Sequence, residues 1–218
     1  MRRAEGLLEH GDRPLPASEL APYLDDLDRL NTWFGGYALT VSAIRRMAHR
    51  HRALRGDPAH DTRPLLVADV GGSRGDLAAR LARTRTLQPV VVVVVDRDEM
   101  SLSLGQRARK DSGGLFWVQA DAEKLPFRAG AIDVVTTSLT FHHLEPDAAA
   151  AALADMRRAA RLGVIINDLL RSRLTHLTVW LLTRIFRCHP FARDDGPRSV
   201  RRAYSATEIE RLATHAGF

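Results

Sequence analysis

Residues 65–76 read LLVADVGGSRGD, and a second apolar run, VVVVVVD, occupies 90–96. The first run reaches a carboxylate, Asp69, and breaks into a turn holding Gly71, Gly72 and Gly75. The second ends in another carboxylate, Asp96, about twenty residues past the turn. A strand, a turn hugging a ligand, a helix and a second strand produce this order, and the acid at the second strand's tip is placed to take a ribose diol. The pattern predicts a nucleoside site.

The turn chemistry narrows the nucleoside. A dinucleotide site asks for G-x-G-x-x-G, so that backbone N–H groups at a helix N-terminus hold a pyrophosphate. Here the third turn position is Ser73, and Asp76 stands where the last glycine would fall. A carboxylate facing a pyrophosphate is repulsive, whereas one facing an ammonium or sulfonium is attractive. The turn therefore suits a cationic nucleoside, with S-adenosylmethionine (SAM) the leading candidate. Asp76 also has a plain alternative, as a favourable negative charge in a helix's first turn.

Downstream, WVQADAEKLPFRAGAIDVVTTSLTFHHL (117–144) holds a third apolar strand running to Asp121, then a Leu-Pro-Phe loop. A buried fourth strand follows at 132–137 and opens into Ser138 and the paired His142 and His143. In the order D-x-G-x-x-x-G, acid, D-A-x-x-L-P-F, D-x-V, H-H-L, the chain closely resembles the class I SAM-dependent methyltransferases, most strongly over 65–168. Ser73 departs from that family, which usually has glycine there. The resemblance implies that Asp69 and the Gly71, Gly72, Ser73, Gly75 backbone lie along the methionine part of SAM. It implies that Asp96, with Arg97 beside it, holds the ribose and that Met100 packs on the adenine. Asp121 then accepts from the adenine amine, the Ala122 N–H meets the ring, and Ser138 lies by the methionyl amine. Met100 as ordinary core is the alternative.

Composition fits one globular domain: 218 residues, 45% hydrophobic, with length enough for a substantial core. Of 32 basic residues only Lys110 and Lys124 are Lys, and the net charge is +6. That balance permits an anionic partner, but the basic residues are scattered without aromatic interleaving, so nucleic acid is not the expected partner. The exocyclic-amine methyltransferases of nucleic acid carry Asn/Asp-Pro-Pro-aromatic where this chain has Ser138-Leu-Thr-Phe141. Cys188 is alone, which excludes an internal disulfide and a cysteine metal cluster. No metal-ligand cluster is evident. The start, MRRAEGLLEH, lacks the apolar core of a signal peptide. The apolar stretch 169–186 is interrupted by Arg171, Arg173, His176 and Arg184, which argues against a membrane span. A cytoplasmic protein is the expectation.

Along the chain, residues 1–16 are expected to fray. After Ser18, Leu20, Leu24, Leu27, Leu30 and Phe34 recur at helical spacing. Gly35-Gly36 breaks that helix and a second runs over about 37–55. This pair is expected to cover the active site, as the resemblance implies, or merely to cap the sheet. A loop at 56–64 delivers the chain to strands at 65–70, 89–95, 115–119, 132–138 and 162–167. Helices at 75–84, 99–110 and 146–160 alternate with them. Near-continuous apolar strands alternating with helices mean an α/β, Rossmann-like, mostly parallel sheet covered on both faces. The domain reading is an N-terminal helical cap and linker at 1–63 and a SAM-binding core at 64–218, with an acceptor-site helix insertion at about 169–204. Within it, 169–187 reads as one long helix, with Trp180, Leu181 and Ile185 available to line an apolar pocket. Ser205-Ala-Thr-Glu208 reads as a capping box and Gly217 as a helix stop. The two strands that the family carries after this helix are missing before Phe218. Either the chain is incomplete or the fifth strand is an open edge needing a partner, such as the second copy of a homodimer.

The segment 167–212, and within it D-G-P-x-S-V-x-R-A-Y (195–204), resembles small bacterial methyltransferases encoded beside polyketide synthases. That likeness implies O-methylation of a small apolar or aromatic, polyketide-like acceptor; C-methylation of a quinone-like ring is the neighbouring reading. A catalytically silent SAM-fold interaction subunit and a nucleotide-dependent oxidoreductase are the other classes. Phe34, Phe141, Trp180 and Tyr204 are expected to line the acceptor pocket. Imidazole is the side chain that titrates near neutral pH, so His142, just past the fourth strand tip, is the candidate base and Asp168 its partner or the acceptor's orienter. His143 is expected to hold the fold, and a structural role stands open for both histidines.

Overall fold

Five strands carry the fold: β1 Leu65–Val70, β2 Val90–Asp96, β3 Leu115–Gln119, β4 Ile132–Ser138 and β5 Ala160–Asn167. All pair in parallel, in the order β3-β2-β1-β4-β5. The structure, a computed structural model, describes residues 1, 3, 17–54 and 63–218. The expected linker over 56–62 and most of the expected frayed N-terminus lie outside those residues. Arg3 is described, and its side chain is pinned, as set out below. No helix among the described residues is long and apolar enough to cross a membrane.

Eight helices are described: α1 Ala17–Trp33, α2 Gly36–Leu54, α3 Asp76–Arg83, α4 Glu99–Ala108, α5 Pro146–Ala159, α6 Arg173–Ile185, α7 Pro190–Arg202 and α8 Ala206–His215. The valine run of β2 is buried because both sheet faces are covered. On one face Val67, Val92, Val94 and Val134 meet Ile44 of α2 and Leu77 and Leu81 of α3. On the other, Ala68, Val70, Val95 and Val135 meet Ala152 and Met156 of α5. Alternate residues of one strand thus serve opposite cores.

The winding reverses at β1. Strands β2 and β3 build outward on one side of it and β4 and β5 on the other. Where successive crossovers part, a crevice opens outside the carboxyl ends of the strands. Register brings the polar tips together there: Asp69 pairs with Val94 and Thr136, Asp96 with Gln119, and Ser138 with Asn167. The outer edge of β5 is unpaired among the described residues.

The segment 169–204 differs from the expected single helix. Residues 169–172 stay out of helix: Asp168 accepts from the Leu169 N–H at 2.6 Å, and Arg171 N–H donates to the Tyr204 carbonyl at 3.2 Å. Ser172 then caps α6 by accepting from the Thr175 N–H. Helix α7 was not foreseen, because Gly196 and Pro197 lie inside it and both disfavour helix interiors. Close packing on α6 is the reason for the glycine: a Cβ at Gly196 would lie 2.8 Å from Val179 Cγ1. The capping box of α8 forms between Ser205 and Glu208, and Gly217 takes φ +87 after it.

Asp133, the acid of the D-x-V motif, ties three strands together. It is buried in β4, accepts the Leu66 N–H at 3.0 Å and pairs with Arg161 Nε at 2.7 Å. Asp133→Ala strands a buried N–H and a guanidinium, and is expected to cost about 3 kcal/mol. By calorimetry the unfolding midpoint should fall by roughly 6–12 °C. A drop of under about 2 °C would show that the strands hold without this stitch.

Candidate active site

The glycine turn is built by close approach. Gly71 and Gly72 donate to the Val95 carbonyl at 2.8 and 3.1 Å, pulling the turn across the end of β2. Gly71 takes φ +71, and a Cβ there would meet Thr140 Cγ2 at 2.2 Å. At Gly72 a Cβ would sit 2.9 Å from Asp69 Oδ2. Ser73 has φ +50, in the left-handed region that favours glycine. That explains why the family's usual residue here is glycine, and the serine bears a modest backbone cost for it. In exchange its N–H is aimed at the tip of β2 and donates to Asp96 Oδ2 at 2.7 Å.

Asp96 is therefore held from two sides, since the Asp98 N–H donates to its other oxygen at 2.9 Å. Each oxygen keeps a lone pair for a further donor, and the carboxylate lines the cleft. Burial pushes Asp96 upward, against the N–H groups of Asp98 and Ser73. Asp69 is buried deeper, and its Oδ2 has no hydrogen-bond partner. Burial, then the Asp96 and Asp76 charges, raise its pKa to about 7.

A cleft of about 580 Å³ lies over the strand tips. Gly71, Ser73, Asp96, Arg97, Met100, Asp121 and Ala122 line it, together with Asp98, Ser101 and Glu123. Met100 is 41% exposed, so it is not core. Asp69, Gly72 and Gly75 sit behind the wall. Ser138 lies in a separate polar cluster at the strand tips: Thr40 Oγ1 is 3.3 Å from its Oγ and accepts from Asn167 Nδ2 at 2.9 Å. Asp76 does not face the cleft as expected. Arg74 Nε donates to it at 2.7 Å and Arg109 pairs with its other oxygen. The first-turn reading of Asp76 on α3 is the one the fold uses.

The opposite wall comes from α1, through Leu20, Tyr23, Leu24 and Leu27. Its helical stripe was legible in sequence, and α1 lies over the cleft, the first of the two positions expected for this helix pair. Arg74 reaches Asp25 at 2.6 Å and Arg80 reaches Asp28 at 3.2 Å, tying α1 to the turn and to α3. None of the four aromatics expected at the acceptor lines this cleft. Phe141 and Tyr204 are buried together, with ring centroids 5.8 Å apart, and the Tyr204 hydroxyl donates to the Leu144 carbonyl at 2.7 Å. Phe34 and Trp180 are exposed elsewhere.

The two histidines stand otherwise than anticipated. His142 is 3% exposed and lies behind the wall, with Nδ1 2.6 Å from Asp168 Oδ1 and its backbone N–H donating to Asp168 Oδ2 at 2.9 Å. His143 lines the cleft, its ring tilted against that of His142 at a centroid distance of 4.2 Å. Burial pushes Asp168 upward, but the His142 ring and the Leu169 and His142 N–H groups outweigh it and hold the carboxyl below its usual range. Long-range residues brace this loop. Arg202 donates to the His143 carbonyl at 2.5 Å, Arg3 to the Leu144 carbonyl at 2.8 Å, and Arg3 pairs with Glu145 at 2.8 Å. Asp195, the first residue of the 195–204 pattern, accepts from the Tyr23 hydroxyl at 3.2 Å. The pattern thus buttresses the site from behind.

Comparison with known proteins places these features. Residues 67–163 match the model of a methyltransferase domain family. The ubiquinone/menaquinone biosynthesis C-methyltransferase UbiE of Rhizobium johnstonii is 36% identical over 104 residues, 45% of this chain and 40% of that protein. The chain spans less than half the length of the curated relatives it matches. Among solved structures, a SAM-dependent methyltransferase from Aquifex aeolicus superposes with a TM-score of 0.53 at 20% identity, covering 72% of this chain and 73% of that one. Magnesium protoporphyrin IX methyltransferase of Synechocystis PCC 6803, solved with bound S-adenosylhomocysteine, gives 0.54 at 20% identity, covering 84% and 74%. At these identities the structural likeness speaks for the fold.

The residues present fit SAM. The unpartnered Asp69 Oδ2 and Ser73 Oγ are buried at the turn, and Asp96 keeps acceptor capacity at the β2 tip. Two charge-assisted hydrogen bonds to a ribose contribute roughly 1.5–3 kcal/mol each. Asp96→Ala should therefore weaken SAM by at least about tenfold in a folded protein; unchanged affinity by calorimetric titration would remove the acid from the site. Asp69 adds a pH dependence. Its folded pKa lies above the unfolded one, so without ligand it contributes stability at low pH that is lost as pH rises through about 7. A cationic ligand reverses the preference and favours the ionised form. SAM should bind roughly tenfold more tightly at pH 8 than at pH 6, and the slope should flatten in Asp69→Asn. The match over 67–163, the parallel sheet and a cleft edged by the Asp96 carboxylate make this part of the chain similar to the SAM-dependent methyltransferase domains.

Proposed function

We propose that the chain methylates a hydroxyl of a small apolar or aromatic, polyketide-like acceptor. The observation that carries this reading is the two-sided cleft: carboxylates at one end, and the apolar Leu20, Leu24 and Leu27 of α1 across from them. Its volume suits a small molecule beside a nucleoside. In this reading residues 1–63 are cap and linker and 64–218 the core, with 169–204 an insertion that braces the acceptor side. Asp69 and the Gly71–Gly75 backbone serve the methionine portion, with Ser138 near its amine. Asp96 and Arg97 serve the ribose, and Met100, Asp121 and Ala122 the adenine. SAM supplies a methyl already activated on its sulfonium, so in-line positioning provides much of the rate.

The protein's remaining task is the acceptor proton. A phenol or enol near pKa 10 gains from a base at neutral pH. His143 faces the cleft, and Asp168 fixes His142 beneath it, so the pair works as a supported unit with His143 toward the acceptor. C-methylation of a quinone-like ring is the second reading, favoured by the UbiE likeness. A homodimer joined along the open edge of β5 is compatible with either; sedimentation velocity would read it as a doubled mass, and a single-chain mass at all concentrations would exclude it.

Turnover of a panel of phenols and hydroquinones, with products sorted by mass spectrometry into O- and C-methylated, tests the proposal. His143→Ala should lower O-methylation at pH 7 by about 10²-fold with SAM affinity kept. Activity should recover in part at high pH, where the acceptor ionises unaided. Full turnover in that variant would leave positioning as the whole mechanism, and exclusively C-methylated products would favour the second reading.

A further inference from the structure

We propose that the outer face of α6, together with the α1–α2 corner, docks on an anionic lipid bilayer. The inner face of α6 packs on α7, and Gly196 sits against Val179 there. Its outer face is apolar and bare: Leu174 is 74% exposed, Leu177 58%, Leu181 46% and Ile185 59%. At about 100° per residue these four fall within roughly 80° of arc, a continuous ridge along the helix. Past its end Phe186 meets Trp33 at 4.8 Å and Phe34 at 6.0 Å, and both of those rings are about half exposed. The ridge therefore runs on into the corner between α1 and α2. Large exposed apolar patches on a folded domain mark interaction surfaces.

Charge identifies the partner. No Asp or Glu lies between Asp168 and Asp194, whereas Arg171, Arg173, Arg184, Arg187 and Arg193 do. The stretch between Asp28 and Asp57 likewise holds no Asp or Glu, and carries exposed Arg45, Arg46 and Arg50 farther along α2. Arg171 is taken up by Glu208, but Arg173 and Arg187 are exposed and make no ion pair among the described residues. Arg184 lies over the Trp180 ring at 4.3 Å, an apolar face with a cationic edge. A second copy brought onto this face by a two-fold axis would set the same arginines against each other, on a chain already at +6. An anionic bilayer takes both halves of the pattern: acyl chains receive the Leu/Ile ridge and headgroups the arginines, with tryptophan at the boundary. The helix lies on the surface and does not span it. The proposal stands apart from the acceptor's identity.

Vesicle sedimentation with the full chain tests it. The protein should partition onto phosphatidylcholine vesicles containing about one-third phosphatidylglycerol at least about tenfold more than onto neutral ones, and high salt should weaken the binding. The double variant Leu177→Glu, Leu181→Glu should lose the binding while keeping its SAM affinity and unfolding midpoint, since both side chains are exposed and away from the cleft. Three results overturn the proposal. One is no binding to either vesicle. Another is binding unchanged in the double variant. The third is a concentration-dependent dimer that the double variant dissociates, which would give this face to a second copy.

Discussion

Everything functional in this molecule hangs from the reversal of winding at β1. A parallel sheet has to be covered on both faces, which sends successive crossovers to opposite sides. At the reversal no helix crosses the strand tips, and a crevice is left there. The glycine turn, the β2 tip and the β4 exit all empty into it, because register aligns their ends. The backbone arrangement creates the cleft before any side chain is chosen for chemistry.

The turn then brings carboxylates close together. Burial and the Asp96 and Asp76 charges raise the cost of ionising Asp69, and the fold neutralises only part of that negative charge. Arg74 and Arg109 take Asp76, and N–H groups of Ser73 and Asp98 take Asp96. Asp69 is left with an open oxygen and a raised pKa. That surplus of buried negative character costs stability once Asp69 ionises, and a cationic ligand would offset it.

The cleft's other wall is joined on through polar links more than through core. Asn167 donates to the Gly36 carbonyl at 2.9 Å, the Tyr23 hydroxyl to Asp195, and arginines bridge α1 to α3. These contacts come from sequence positions far apart, so α1 is positioned by the finished sheet. The same holds for the His142–His143 loop, whose carbonyls are held by Arg202 and Arg3 from the two ends of the chain.

The sequence by itself determined the parallel sheet, the glycine turn after β1 and the carboxylate at the tip of β2. Each is written locally: apolar runs of strand length, glycines where φ is positive, and a carboxylate at a strand end. The Ser205–Glu208 box was legible for the same reason. Tertiary structure decided what lies across the chain. His142 and His143 are neighbours with the same chemistry, and only Asp168, packed behind one of them, settles which ring meets the cleft. Asp76 looked free to face a cation until Arg109 arrived from α4's end. Phe141 and Tyr204 looked like pocket aromatics, yet their rings fill the core beneath α5 and α8. Helix α7 forms across Gly196 and Pro197 because packing on α6 outweighs local propensity. A side chain's partner is a long-range fact, and spacing along the chain carries no record of it.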